Sequence, residues 1–179
     1  MELNLLALSI GIGLGVSLLF SELFGLAAGG LVVPGYIALY LTRPLDVAVT
    51  LVAALLTFFL IRIASSFVII YGRRRTALMI LVGYAAGVFL NGAMAALYEV
   101  GVETLPPGRY IMEAGVIGYI VPGLIAIWLD RQGVVPTFAA LVTTAVVVRL
   151  LLVLLVPQQL QWFEVTPEPN PEIEEMGVQ

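Results

Sequence analysis

The sequence predicts an all-α integral membrane protein of about six hydrophobic segments, and three observations predict it. Hydrophobic residues make up 61% of the 179 residues, and mean hydropathy is +1.08. That is far above a soluble domain. Charge is confined to a few positions: none falls in 3–21, 23–42, 76–98, 114–129 or 132–148, and 47–72 carries only Arg62. Finally, one short segment occurs twice. Residues 33–43 read VPGYIALYLTR and residues 121–131 read VPGLIAIWLDR, at an offset of 88.

Spanning a bilayer takes ~20 apolar residues. The charge map then gives segments at about 3–21, 24–42, 46–72, 76–98, 113–129 and 134–157. No basic residue precedes the first, so it does not read as a cleavable signal. Its glycines, Gly11, Gly13 and Gly15, suit close helix contact. The second and fifth carry Pro34-Gly35 and Pro122-Gly123 near their middles. Pro lacks the N–H a helix needs and Gly loosens it further, so both segments are expected to break there or to re-enter as hairpins. Backbone freed at that depth is tolerated only where protein or a watery cavity covers it.

The third segment contains Arg62, the fourth Asn91 and the sixth Thr143, Thr144 and Arg149. Asn91 is expected to bond across helices, and the threonines to their own helix. Trp128, Trp162, Tyr40 and Tyr98 lie near segment ends, where an interfacial aromatic belt belongs.

Arg73, Arg74 and Arg75 form the one basic cluster, which places the third link in the cytoplasm and the 99–113 loop outside. This link divides the chain into a first membrane repeat, 1–75, a second, 76–157, and a tail, 158–179. With three segments each, the repeats are related by inversion, the pattern of many transporters, and Arg43 and Arg131 fall on opposite sides. If the Pro-Gly segments re-enter instead, the repeats run parallel. The inverted arrangement is favoured because both segments are long enough to cross. The tail holds Pro167, Pro169 and Pro171 with five glutamates, follows directly on Pro157, and reads as an acidic disordered extension. It accounts for the net charge of −4.

Cys, His and Lys are all absent. No disulfide, thiolate or imidazole chemistry is available, no metal site is expected, and no Walker-type GK[ST] can exist. No catalytic residue is assigned. Arg62 and Arg149 are the strongest site candidates. Arg62 is 11 residues before Arg73, about 16 Å along a helix, and an Arg deep in a lipid-facing helix costs at least ~2.5 kcal/mol. Such residues face a cavity or a bundle interior, and their forks suit carboxylates. Snorkelling, or a bridge to Glu22, is the simpler alternative. Glu22, Arg43 and Arg131 complete the candidate anion path.

Four stretches, taken in order, make the chain resemble the integral membrane component of the bacterial poly-γ-glutamate synthase, the PgsC/CapC family. These are Glu22 with Gly25; Gly30-Leu31-Val32-Val33-Pro34-Gly35-Tyr36; Tyr71-Gly72-Arg73-Arg74-Arg75; and Gly118 to Ala126 followed by Arg131-Gln132-Gly133. The resemblance covers about residues 5–155. It implies a multi-pass protein of the bacterial plasma membrane that supports synthesis and export of a polyanionic capsule polymer. It also implies partners. These are a cytoplasmic ATP-dependent poly-γ-glutamate ligase, a further protein of the complex associated with export, a small accessory protein, membrane lipid and the polyglutamate chain, with no nucleic acid. ATP and a divalent cation then belong to the ligase, and the present chain carries no cofactor and is not catalytic alone. Arg73 to Arg75 are the expected contact for the ligase or for lipid headgroups. The competing functions are an autonomous small-solute or anion transporter and a purely structural anchor for the ligase.

Overall fold

The computed structural model describes residues 5–67, 72–104 and 115–155, and for 5 and 98–104 the backbone alone. Six helices follow one another: α1 (Leu5–Phe24), α2 (Val33–Tyr40), α3 (Pro44–Phe67), α4 (Arg73–Thr104), α5 (Val121–Gln132) and α6 (Val134–Leu155). The described residues contain no strand. Helices α1, α3, α4 and α6 are long and apolar enough to cross a membrane. Their outward faces carry large apolar side chains, among them Leu19, Phe59, Phe89 and Leu154, as lipid exposure requires.

The second and fifth segments depart from the expectation of a helix broken in its middle. Helix α2 has 8 residues and α5 has 12, about 12 and 18 Å, against a hydrocarbon core of about 30 Å. Pro34 and Pro122 stand in the first turn of these helices, where a missing N–H costs nothing because no intrahelical acceptor is available. The preceding residues, 25–32 and 115–120, are not helical. Gly29, Gly30 and Gly118 have positive φ there, of 73°, 115° and 61°, a region that excludes most side chains. Each segment is thus an unwound stretch followed by a short helix. Arg73 to Arg75 also differ from the expected link, since they form the first turn of α4.

Each short helix packs against the long helix before it through a glycine pair. A Cβ on Gly13 would lie 2.7 Å from the Cα of Gly35, and one on Gly83 would lie 2.5 Å from the Cα of Gly123. These are backbone-to-backbone approaches that only glycine permits. Of the three glycines near the start of α1, only Gly13 makes such a contact; Gly11 and Gly15 face open space. Next to the first pair, Ser9 Oγ donates to the Gly35 carbonyl at 2.7 Å.

Beyond these pairs, the two halves exchange partners. Helix α2 packs on α6 and α5 packs on α3. Val33 and Ile37 of α2 share one core with Ala54 and Phe58 of α3, Val121 and Ile125 of α5, and Leu141 and Ala145 of α6. The last residues of α2, Ala38 and Leu39, join Val148, Leu152, Leu6 and Leu8. At the other end of the molecule, Arg75 Nη2 meets Asp130 Oδ1 at 2.6 Å, pinning the start of α4 to the end of α5.

Candidate functional site

The unwound stretches carry peptide groups that a helix would have satisfied, so their partners decide whether such a segment survives in an apolar layer. Gly115 N–H donates to Asp46 Oδ1 at 2.9 Å and Ile117 N–H to Thr50 Oγ1 at 2.8 Å, both acceptors standing on α3 of the opposite half. Val116 N–H donates to Asn91 Oδ1 on α4 at 2.7 Å. Three successive amides are therefore held by three side chains. Asp46 and Thr50 are buried, so the bonds act in a low-dielectric setting.

The first half repeats the device with different chemistry. Ala27, which is 88 residues before Gly115, donates its N–H to Gln132 Oε1 at 3.2 Å, and its carbonyl accepts from Gln132 Nε2 at 2.6 Å. Thr137, which is 87 residues after Thr50, bonds through Oγ1 to the Gly133 carbonyl at 2.7 Å, just as Thr50 bonds to the Asp46 carbonyl at 2.7 Å. An amide grips one unwound stretch and a carboxylate the other.

The two short helices start close together. Neither N-cap residue, Val32 or Ile120, caps its helix with a side chain. Their first turns, with Tyr36, Tyr119 and Leu124, line a largely apolar cavity of about 260 Å³. Helix starts carry partial positive charge. A second, more polar cavity of about 360 Å³ lies at the Asp46 side, bordered by Tyr40, Arg43, Asn91 and Gly115 to Gly118.

The candidate charges sit in varied settings. Arg62 is on an exposed face of α3, its guanidinium 5.9 Å from the Phe58 ring, and it lies five residues from Phe67, about 7.5 Å along the helix. Arg149 is half-buried on α6, six residues before its described end. Glu22 is exposed in the last turn of α1. Arg43 is exposed and borders the polar cavity. Arg131 is exposed and stacks on Trp128 at 5.3 Å. Arg73 and Arg74 are exposed, whereas Arg75 is half-buried against Asp130. Thr144 is buried, but its Oγ1 has no hydrogen-bond partner, so it does not bond back to its helix as expected. The acidic tail, Trp162 and most of the 99–113 loop lie outside the described residues.

Sequence reasoning missed Asp46, Thr50 and Gln132 as the residues that hold the unwound stretches. It placed Asn91 in a bond to another helix, whereas Asn91 reaches the unwound backbone. A usable signal was present: the 88-residue repeat extends back to Gly30 and Gly118.

Four long apolar helices and two short helices fed by glycine-bent stretches define an all-helical membrane protein. The chain belongs to the capsule biosynthesis CapC family, whose model matches residues 12–138. It is 37% identical to the "PGA biosynthesis protein CapC" of Bacillus subtilis (strain 168) over 136 residues, covering 75% of this chain and 85% of that protein. It is 36% identical to the "Capsule biosynthesis protein CapC" of Bacillus anthracis over 129 residues, 72% of this chain and 80% of that one. No solved structure matches the chain.

Proposed function

We propose that this chain is the integral membrane component of a poly-γ-glutamate synthase, supporting synthesis of the capsule polymer by a cytoplasmic ATP-dependent ligase and its passage to the cell surface. The family membership carries the assignment to capsule and PGA biosynthesis. The observation that carries the passage role is the paired arrangement of short helices, whose positive ends meet beside a cavity between two repeats. An anchor needs no unwound backbone within its apolar layer.

The proposal includes topology. Helix α2 meets α1 at Ser9 and Gly13, although α1 continues to Phe24 before the chain turns. Helix α5 ends beside the start of α4. In this reading each unwound-plus-helical segment crosses back along the helix before it. Each half then has three crossings, and the halves are inverted in a multi-pass protein of the plasma membrane. Arg43 and the polar cavity fall outside; Arg73 to Arg75 and Arg131 fall inside, facing the ligase or anionic lipid. Arg62, exposed on α3, and half-buried Arg149 remain the candidates for steering carboxylates.

The test is a strain lacking this chain but producing the ligase. Surface and intracellular polymer are both measured. Loss of surface polymer, restored by the wild-type chain, supports the reading. Undiminished surface polymer without the chain refutes it. Ligase lost from the membrane, with surface polymer restored by tethering it to an unrelated helix, reduces the chain to an anchor.

A further inference from the structure

The geometry points to a binding site for a glutamyl unit in the polar cavity formed by Arg43, Asp46, Asn91 and the unwound backbone at Gly115 and Val116. This assignment rests on the proposed role in poly-γ-glutamate production and names a ligand site within it. Three features argue for it. The cavity, at about 360 Å³, falls within the range of small-molecule sites, about 300–1,000 Å³. Its charged lining is mixed: Arg43 is an exposed residue, and Asp46, only 6% exposed, lies at depth. Asn91 uses its oxygen on Val116 N–H, so its NH₂ group is the end available to donate.

Each unit of a γ-linked glutamyl chain presents an α-carboxylate next to an amide N–H, and the chain's amino end presents a carboxylate next to an ammonium. Arg43 and Asn91 donate to the carboxylate, and Asp46 accepts from the neighbouring N–H. An isolated anion would meet the Asp46 charge with no such compensation, and an isolated cation would meet Arg43. The corresponding place in the other half is built differently. Trp128 replaces Tyr40 there, its indole Nε1 3.4 Å from the position of a Cβ on Gly30, and Arg131 lies across the ring. Gln132 supplies the grip without a charge. The other half thus holds its unwound stretch without a carboxylate, so holding such a stretch does not by itself require the charge that Asp46 places in this cavity.

The probe is the dipeptide γ-glutamylglutamate, titrated calorimetrically into the full-length protein in lipid nanodiscs. Wild-type protein is expected to bind it and to bind glutarate, a plain dicarboxylate, at least tenfold more weakly. Arg43→Gln should weaken dipeptide binding by about tenfold to a hundredfold, the range for losing a hydrogen bond to a charged group. Arg43→Lys should recover part of the loss. Ala95→Phe, at an exposed position on the cavity wall, fills the space while replacing no buried side chain and should abolish binding if Arg43→Gln proves unstable. Absence of dipeptide binding by the wild type, wild-type affinity in Arg43→Gln and Ala95→Phe, or glutarate bound as tightly overturns the site. A normal polymer yield in the strain lacking the chain would overturn the function instead, whatever the calorimetry shows.

Discussion

Replacing Gly83 with Ala tests the packing on which the whole arrangement stands. A Cβ at that position would lie 2.5 Å from both Cα and N of Gly123. Carbon contacts are favourable at about 3.5–4.0 Å, so α4 and α5 must part by about 1 Å. Both colliding atoms are backbone, and no side-chain rotation relieves them. Overpacking of this kind costs about 1–3 kcal/mol. Gly13→Ala is the matching change in the first half, with its Cβ 2.7 Å from Gly35 Cα and 2.8 Å from Gly35 N. Gly92 on α4 and Gly15 on α1 have nothing within 4 Å of an added Cβ, and Ala is the better helix former by about 1 kcal/mol. The assay is reversible unfolding of the full-length protein in mixed micelles by SDS titration, followed by circular dichroism. Gly83→Ala and Gly13→Ala are expected to lose about 1–3 kcal/mol, and Gly92→Ala and Gly15→Ala to lose nothing. Equal midpoints for Gly83→Ala and Gly92→Ala would refute the close approach of α5 to α4.

Three further predictions concern residues the sequence made prominent. Pro34→Ala and Pro122→Ala should leave α2 and α5 at their present lengths, because positive-φ glycines and cross-half hydrogen bonds fix the unwound stretches; a gain in helix content by circular dichroism would show that the prolines set the helix starts. Arg75→Leu and Asp130→Leu should each destabilise the protein, and the double change should recover much of the loss; a coupling near zero in the double-mutant cycle would mean the half-buried pair contributes nothing, as many exposed pairs do. Arg62→Leu with Arg149→Leu should preserve membrane abundance and ligase co-purification while surface polymer drops; full polymer yield would remove these arginines from the anion path.

Much of the architecture was legible because it follows from periodic, local constraints. The charge gaps delimited all six segments, and the lipid-facing surfaces of the four long helices need only sustained apolarity. The repeat was legible from VPGYIALYLTR and VPGLIAIWLDR. The depth of the helix break was not. Pro34 reads equally well as a kink in a long helix or as the first turn of a short one, and the choice is made by Gly29 and Gly30, whose positive φ only the fold reveals. The site was harder still. Asp46 and Gln132 lie 86 residues apart in unlike local sequences, yet each ties down the other half's unwound stretch. Such long-range polar satisfaction leaves no local pattern. Arg75 shows the converse limit: three adjacent arginines read as one cluster, but helical geometry turns the third inward to Asp130.

The proposed passage role requires each half to return through its short helix, so that the two halves run in opposite senses. Single-cysteine labelling tests this most directly, since the chain has no native Cys. Cysteines placed at positions 43 and 131, one at a time, are probed in intact cells with a membrane-impermeant maleimide, before and after permeabilisation. Position 43 is expected to label from outside and position 131 only after permeabilisation. Labelling of both from the same side would contradict the inverted arrangement.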